Sequence, residues 1–524
     1  MFGIKSVFFH IIINGIMQVS NIKILKTASI LLILMSQILT VSAQESTNKI
    51  NLKQMKQIGS VDERFQSYNI EMCEVIGGDF WIPYNLIDSV RKNSNKTGFA
   101  ALKWGIPPIN LYEKKLRHLA SALGPTYVRV SGTWANAVYF QDNDNPKLAN
   151  PPDGFKNILT RSQWKGVVDY CKAVNGKLVS SFPISAGMFD KEGNWQSGQV
   201  KSILYYTRSL GGEIAAAEMF NEPSHASHGD APKGYNGERY AKDFAVFKNF
   251  IQKEAPNMKI LGPGSTGEGG IIPSQDIPVD KILTASPKPL FDVFTYHFYG
   301  TVSQRCMGGQ KPEKALTNEW LSKTEKGLAF YQDMRDKYNP NVPIWNTETA
   351  ETACGGNPWA VTYTDCFRYL EQLGRLAKKG VQVVMHNTLA RSEYALLDHD
   401  THNPRPDYWA ALLWGKLMGT QVYEAGTLTE GVDIFTHNLK GTANGRATLV
   451  LNTNDKTTSI ELPSNAKMYL FTADDMLSKK VKLNGTELKM NEKDELPAIK
   501  GQKVKAGLVQ IPAKSIVFFE FKKV

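Results

Sequence analysis

Glu213-Ile214-Ala215-Ala216-Ala217-Glu218-Met219-Phe220-Asn221-Glu222-Pro223 is an apolar strand running straight into an amide, an acid and a proline. It places a carboxyl group at a strand terminus with an amide beside it. Working outward, short apolar runs of the same kind recur at 66–72, 126–130, 177–182, 214–220, 259–261, 291–296, 343–345 and 381–386. Amphipathic segments lie between them, at 111–123, 161–174, 200–210, 237–254, 316–337 and 361–379, with Gly or Pro at many of the junctions. Eight strand–helix units over roughly 350 residues predict a (β/α)8 barrel, an α/β fold.

From about Gln421 the texture changes. The runs 433–437, 446–452, 458–462, 467–471, 481–483 and 515–521 are β-rich and split by Asn-Gly and Asn-Asp turns, which predicts a C-terminal β-sandwich of roughly 100 residues. The expected organisation is therefore a leader over 1–43, a catalytic barrel over 44–420 whose first residues pair with the sandwich, and the sandwich over 421–524. The composition, 42% hydrophobic and 21% charged among 524 residues, excludes collagen-like, disordered and disulfide-scaffold classes. At the N-terminus, Lys23 and Lys26 precede an apolar stretch from Ala28 to Leu39, and Val41-Ser42-Ala43 supplies small residues before Gln44. This predicts a secretory signal cleaved after Ala43, with Met17 as an alternative start to Met1, and an exported, periplasmic or extracellular protein without stable membrane insertion.

The formal charge is +11, of which the leader lysines Lys5, Lys23 and Lys26 supply three. A mildly basic balance does not repel a polyanion, but no dense Arg/Lys run with interleaved aromatics marks a nucleic-acid binder. The cysteines Cys73, Cys171, Cys306, Cys354 and Cys366 show no C-x-x-C spacing, so a zinc ribbon is not indicated. Cys306 and Cys354, both in glycine-bearing loops, are the first pair to consider for a disulfide.

In such a barrel, chemistry sits where strands end. Glu222 closes the fourth strand; the seventh, Pro343-Ile344-Trp345, leads through Asn346 and Thr347 to Glu348. Two carboxyl groups at one end of a barrel match what glycoside hydrolysis needs: a proton donor for the leaving oxygen and a second group at the anomeric carbon. Neither a metal nor a cofactor is required for that chemistry.

Asn221-Glu222-Pro223, Thr295-Tyr296-His297-Phe298-Tyr299, Trp345-Asn346-Thr347-Glu348-Thr349 with Gly355-Gly356, and Asp398 through Pro406-Asp407-Tyr408-Trp409 together resemble glycoside hydrolase family 79, the heparanase and β-glucuronidase family of clan A. The resemblance runs from Arg64-Phe65 to Ile511-Pro512-Ala513. It implies a retaining mechanism, with Glu222 as general acid/base and Glu348 as nucleophile, and a Glu222 pKa above that of a free glutamate. It further implies that Asn221 meets the sugar 2-hydroxyl, that Tyr299 orients the nucleophile beside His297, and that Glu71 contacts sugar hydroxyls. Backbone N–H groups of Gly355 and Gly356, with Tyr394, would receive a uronic carboxylate.

Two departures stand out. Glu351 places a second acid in the nucleophile loop and competes with Glu348 for that role. After Gly132-Thr133 comes Trp134, where the heparan-cleaving pattern has a basic residue, and Trp134 reads as a stacking platform for a sugar ring. The expected partner is a glucuronic-acid-containing oligo- or polysaccharide, and the expected activity removal of β-linked glucuronic acid. The alternatives are a clan A glycosidase for a neutral sugar and a non-catalytic glycan-binding protein.

Overall fold

The computed structural model describes residues 48–93, 95–269 and 275–524; the expected leader lies outside the described residues. Eight strands, β1 (Gln66–Glu71), β2 (Thr126–Ser131), β3 (Gly176–Ser181), β4 (Ile214–Glu218), β5 (Lys259–Ser265), β6 (Val293–Tyr299), β7 (Ile344–Ala350) and β8 (Val383–His386), form a closed barrel in sequential order. Every neighbouring pair is parallel, β8 closing on β1 through Val384 opposite Gln66. The crossover helices are α1 (Lys114–Ala122), α2 (Arg161–Ala173), α3 (Gly198–Ser209), α4 (Gly237–Glu254), α5 (Val279–Leu283), α6 (Lys323–Tyr338), α7 (Tyr363–Lys378) and α8 (Pro406–Leu417). Their starts follow ordinary capping chemistry. Thr160 accepts from the Gln163 N–H at the head of α2 while the Gln163 side chain reaches back, and Asn236 accepts from the Arg239 N–H at the head of α4.

The barrel interior is layered. Near the N-terminal ends of the strands, Tyr127, Val179, Ala216, Leu261, Val293, Trp345, Val383 and Met385 fill it as one apolar cluster, with the Tyr127 and Trp345 rings 4.8 Å apart. Two residues further along the strands the filling turns polar, at Arg129, Glu218, Thr295 and Thr347, all buried. The apolar layer thus acts as a floor, and the inward-facing residues above it line the mouth.

Several strands run past the sequence runs: β2 by one residue to Ser131, β6 by three to Tyr299, and β5 and β7 further still. β5 extends to Ser265 rather than Leu261, and β7 to Ala350 rather than Trp345, so Glu348 sits inside a strand and not after one. β7 also carries a register shift: Tyr296 of β6 faces Asn346, but the next residue, His297, faces Glu348. That shift accommodates one extra residue and reverses the inward–outward alternation, and so turns Glu348 toward the barrel axis when Trp345 and Thr347 already face it. The segment expected as one helix over 316–337 breaks into Asn318–Leu321 and α6.

After α8 come β9 (Met418–Tyr423), β10 (Val432–Leu439), β11 (Arg446–Asn452), β12 (Thr458–Leu462), β13 (Ala466–Thr472), β14 (Gly507–Ile511) and β15 (Ser515–Phe521). One antiparallel sheet runs β9-β10-β11-β15-β13, extended beyond β9 by the strand Gln57–Ser60, and β12 pairs antiparallel with β14 in another. Ile434, Val450, Ile460, Leu462, Ile511, Val517 and Phe519 pack together as the core of these sheets. Helix α7 joins both halves: Tyr363 OH donates to the Phe471 carbonyl at 2.8 Å, and the Arg375 guanidinium lies 3.3 Å from Asp433.

In the connection from β1 to α1, Gly78–Trp81 and Lys103–Ile106 form an antiparallel ribbon. A disulfide joins Cys306 to Cys354, and Cys73, Cys171 and Cys366 are free and buried. Among the described residues no helix is long and apolar enough to cross a membrane.

Candidate active site

Arg129 is the hub of the barrel mouth. It is fully buried on β2, and its guanidinium donates to Glu218 Oε2 and Asn221 Oδ1, both at 2.8 Å, and to Glu348 Oε2 at 2.9 Å. A buried guanidinium is tolerable only with carboxylate partners, and here two neutralise it. Glu218 is further satisfied by the hydroxyls of Thr347 and Thr295, which donate to its Oε1 at 2.9 and 3.3 Å. Burial alone would push the Glu218 carboxyl up; Arg129 and His297 outweigh it and hold Glu218 well below the ordinary carboxylate range.

Glu348 accepts on both oxygens: Oε2 from Arg129, and Oε1 from Tyr299 OH at 2.6 Å. Tyr299 is itself positioned by Asn387 Nδ2, which donates to its oxygen at 3.1 Å and to that of Tyr394 at 3.2 Å. Glu222 has a left-handed backbone, φ 50° and ψ 65°, ahead of the short helical turn Pro223–His225, and this turns its side chain back over the mouth. Just before it, the Asn136 side chain accepts from the Asn221 N–H and donates to the Asn221 carbonyl, both at 2.9 Å.

His297 bridges the two glutamates. Its Nδ1 lies 3.0 Å from Glu222 Oε1 and 3.7 Å from Glu348 Oε2, and its Nε2 lies 3.2 Å from Arg129 Nη2. One oxygen of Glu222, one of Glu348 and the His297 ring nitrogen fall within 4.8 Å of one another. Donors so grouped suit a cation as well as a proton, and the Arg129 guanidinium already supplies positive charge against Glu348. Burial lowers His297, but Glu348, Glu218 and Glu222 outweigh it and hold the imidazole up at about 9. The consequence for Glu222 corrects the sequence expectation. Burial pushes its carboxyl up, yet the hydrogen bond and charge of His297, aided by His225 and Arg129, bring it below a free glutamate rather than above it. In the free protein the shared proton therefore rests on His297.

Glu71, at the end of β1, is buried under Gly132, where an added Cβ would fall 1.5 Å from Glu71 Oε2. Burial, then Glu348, raises its carboxyl well above the usual range. Thr133 and Trp134 are half-buried and begin the short helix Thr133–Ala137 at the end of β2. Trp134 is not a bare platform: the Lys103 ammonium sits 4.7 Å from its ring centre.

Glu351 does not join this constellation. Its carboxylate accepts from Thr352 Oγ1, the Asn357 N–H and Asn357 Nδ2, at 2.7 to 2.9 Å, and is pushed up to about 7 by burial and then by Asp365. It staples its own loop. Gly355 and Gly356 follow the Cys354 disulfide with φ of 80° and 79°, and no hydrogen bond within the described residues takes either N–H. A Cβ at Gly356 would lie 3.1 Å from the Tyr394 N, and Tyr84 OH donates to the Gly356 carbonyl at 3.1 Å. Gly356 thus packs on Tyr394, whose hydroxyl shares Asn387 with Tyr299 and so lies one link from Glu348.

Sequence reasoning missed Arg129, Glu218, Asn136 and Asn387 as parts of this site. The first two had a signal: a lone Arg inside Tyr127-Val128-Arg129-Val130 and a lone Glu after Ala215-Ala216-Ala217 are charges in buried strands that must find each other. Asn136 and Asn387 had none.

Paired carboxyl groups in the strand-end mouth of a (β/α)8 barrel with an appended antiparallel sheet domain are the architecture of a glycoside hydrolase. The chain belongs to glycosyl hydrolase family 79, whose N-terminal domain matches residues 93–374. It is 27% identical to heparanase from Bos taurus over 450 residues, covering 74% of this chain and 80% of that one. It is 25% identical to hyaluronoglucuronidase from Hirudo nipponia over 460 residues, 78% of this chain and 90% of that one. The solved 4-O-α-L-rhamnosyl-β-D-glucuronidase from Fusarium oxysporum shares the fold, with a TM-score of 0.58 at 12% identity, over 90% of this chain and 99% of that one.

Proposed function

We propose that the protein is a retaining β-glucuronidase that releases β-linked glucuronic acid from oligo- or polysaccharides, with Glu222 as acid/base and Glu348 as nucleophile. The observation that carries this reading is the separation of the pair: carboxylate oxygens of Glu222 and Glu348 fall within 4.8 Å. Retaining enzymes hold their carboxyl groups about 5 to 5.5 Å apart, whereas inverting ones leave about 6.5 to 9.5 Å for a water molecule. The names of the heparanase and hyaluronoglucuronidase relatives support a uronide, as do the free N–H groups of Gly355 and Gly356 beside Tyr394.

In the first step Glu348 attacks the anomeric carbon while the bond to the leaving oxygen breaks and Glu222 delivers its proton to that oxygen. Arg129 and Tyr299 hold Glu348 by both oxygens and aim it. The proton reaches Glu222 from His297 Nδ1, 3.0 Å away, once a bound sugar excludes water and raises the cost of the carboxylate. In the second step Glu222, now ionised, takes a proton from water; the water oxygen attacks the anomeric carbon and the ester bond to Glu348 breaks. Asn221, with its Oδ1 taken by Arg129, presents its NH2 to the sugar 2-hydroxyl. Glu71 and Tyr394 serve the remaining hydroxyls and the carboxylate. We take the protein to act after export, in keeping with its N-terminal composition.

Proton NMR of an aryl β-glucuronide digest tests the mechanism. The β-anomer of glucuronic acid should appear first and mutarotate later; the α-anomer appearing first would contradict retention.

A further inference from the structure

In the loop after β7 the backbone carbonyls around the two glycines are held from three sides. The Cys354 carbonyl accepts from Ser303 Oγ at 3.0 Å, the Gly355 carbonyl from Ser392 Oγ at 2.7 Å and from the Glu393 N–H at 3.2 Å, and the Gly356 carbonyl from Tyr84 OH at 3.1 Å. A peptide unit is planar, so anchoring its carbonyl fixes the direction of the N–H across the same bond. Ser303 therefore aims the Gly355 N–H, and Ser392 with Glu393 aims the Gly356 N–H. Tyr84 fixes the plane after them, whose N–H, that of Asn357, is spent on Glu351. Two glycines have no side chain of their own to hold them, so their direction is set from elsewhere. Ser303 lies after β6, Ser392 and Glu393 after β8, and Tyr84 after the first strand of the ribbon between β1 and α1.

Arg305 ties those three loops together. Its side chain is 1% exposed; Nη2 donates to Glu393 Oε2 and Nη1 to the Ile82 carbonyl, both at 2.5 Å, and its backbone N–H donates to Tyr84 OH at 3.3 Å. Glu393 closes the ring, since its Oε1 accepts from the Tyr84 N–H at 2.9 Å, and the guanidinium lies 4.1 Å from the centre of the Tyr84 ring. The Tyr84 hydroxyl passes the chain on, accepting from Arg305 and donating to Gly356. The next residue, Cys306, is joined to Cys354, which keeps Arg305 beside the glycines. The mechanism above uses neither Arg305 nor Glu393. A buried ion pair adds little stability over an apolar pair of the same shape, so the presence of this one points to the geometry it fixes.

We propose that Arg305 is a positioning residue for uronate recognition: paired with Glu393 and stacked on Tyr84, it locks three loops around Gly355 and Gly356 so that both N–H groups are aimed before the sugar arrives. This rests on the glucuronidase reading and deepens it, because discrimination in favour of the carboxylate then depends on how rigidly two backbone donors are preorganised. Arg305 itself does not touch the substrate.

The test reads the ratio of kcat/KM for an aryl β-glucuronide to that for the matching aryl β-glucoside, per folded molecule. Misaimed amides weaken charge-assisted hydrogen bonds that only the carboxylate makes. Arg305→Met should therefore lower the ratio by at least about tenfold, chiefly through the KM of the glucuronide, with the glucoside value falling far less. Arg305→Lys keeps the charge but loses the fork that reaches Glu393 and Ile82 together, so its ratio should lie between those of Arg305→Met and the wild type. An unchanged ratio in Arg305→Met overturns the inference while leaving the glucuronidase reading in place. Equal losses on both substrates overturn it too, since that is what a merely structural role gives. A wild type with comparable values for the two substrates overturns both readings. If Arg305→Met does not fold, Tyr84→Phe, which removes only the hydroxyl between Arg305 and Gly356, decides by the same criteria with an expected fall of about threefold or more.

Discussion

Glu222 and Glu348 face the same space but are held by different hydrogen-bond partners, and their variants should separate. Glu348, held by Arg129 and Tyr299, should be indispensable for every leaving group. Glu222→Ala should lose about 10² to 10⁴-fold on a poor leaving group, far less on an activated aryl one, and recover with azide. Equal losses without rescue would remove Glu222 from the acid role. His297 makes a second prediction. With the shared proton on an imidazole held up at about 9, kcat/KM should stay high at neutral pH and fall as pH rises through about 9, where that proton is lost. In His297→Gln the carboxyl must hold the proton alone, so the falling limb should move to lower pH; a profile identical to wild type would contradict the shared proton. Stability follows the same sign, being present below the ordinary histidine pKa of ~6.5 and lost through the raised one. That Glu222 and Glu348 would meet at one end of the barrel was legible in the sequence because each follows an apolar strand run. Their electrostatics were not, because a pKa depends on who lies opposite in space, and His297 is 75 residues from Glu222.

Among the elements, the β7–loop unit holds Glu348 and the two glycines proposed to meet the carboxylate. Its register shift turns Glu348 inward, its Glu351 staples the following loop, and Cys354 ties that loop to Cys306 just before Gly355 and Gly356. Gly356 has φ 79°, which a β-branched residue almost never adopts, and its Cβ would press on Tyr394. Gly356→Val should therefore lower kcat/KM on an aryl glucuronide, per folded molecule, by at least about tenfold through lost carboxylate bonds, and the strained backbone should lower the thermal midpoint as well. Full activity in that variant would place the uronate elsewhere. All eight strands were legible as apolar runs, since a barrel strand buried on both faces must be apolar near its floor. The upper half of β7 was not. Asn346-Thr347-Glu348-Thr349 reads as a polar loop, and only pairing with β6 makes it a strand.

At the scale of the whole molecule, the barrel and the appended sheets meet through α7, which is buried along nearly its full length. Gly374 on that helix faces the Phe435 ring, and an added Cβ would fall 2.4 Å from it. Calorimetry should accordingly show one cooperative transition, and Gly374→Ala should cost about 1 to 3 kcal/mol by overpacking, lowering the midpoint without changing activity per folded molecule. Two separated transitions in the wild type would contradict a shared core. The α7 periodicity announced a helix, but a helix apolar on one face and charged on the other reads as solvent-facing. Nothing in the residues 361–379 said that Arg375 would point to a partner on β10. The central claim, recognition of a uronic carboxylate by this barrel mouth, is tested most directly by kcat/KM for 4-nitrophenyl β-glucuronide against the corresponding β-glucoside. Two or more charge-assisted hydrogen bonds predict a preference of at least about a hundredfold for the glucuronide, whereas comparable values for the two would contradict it.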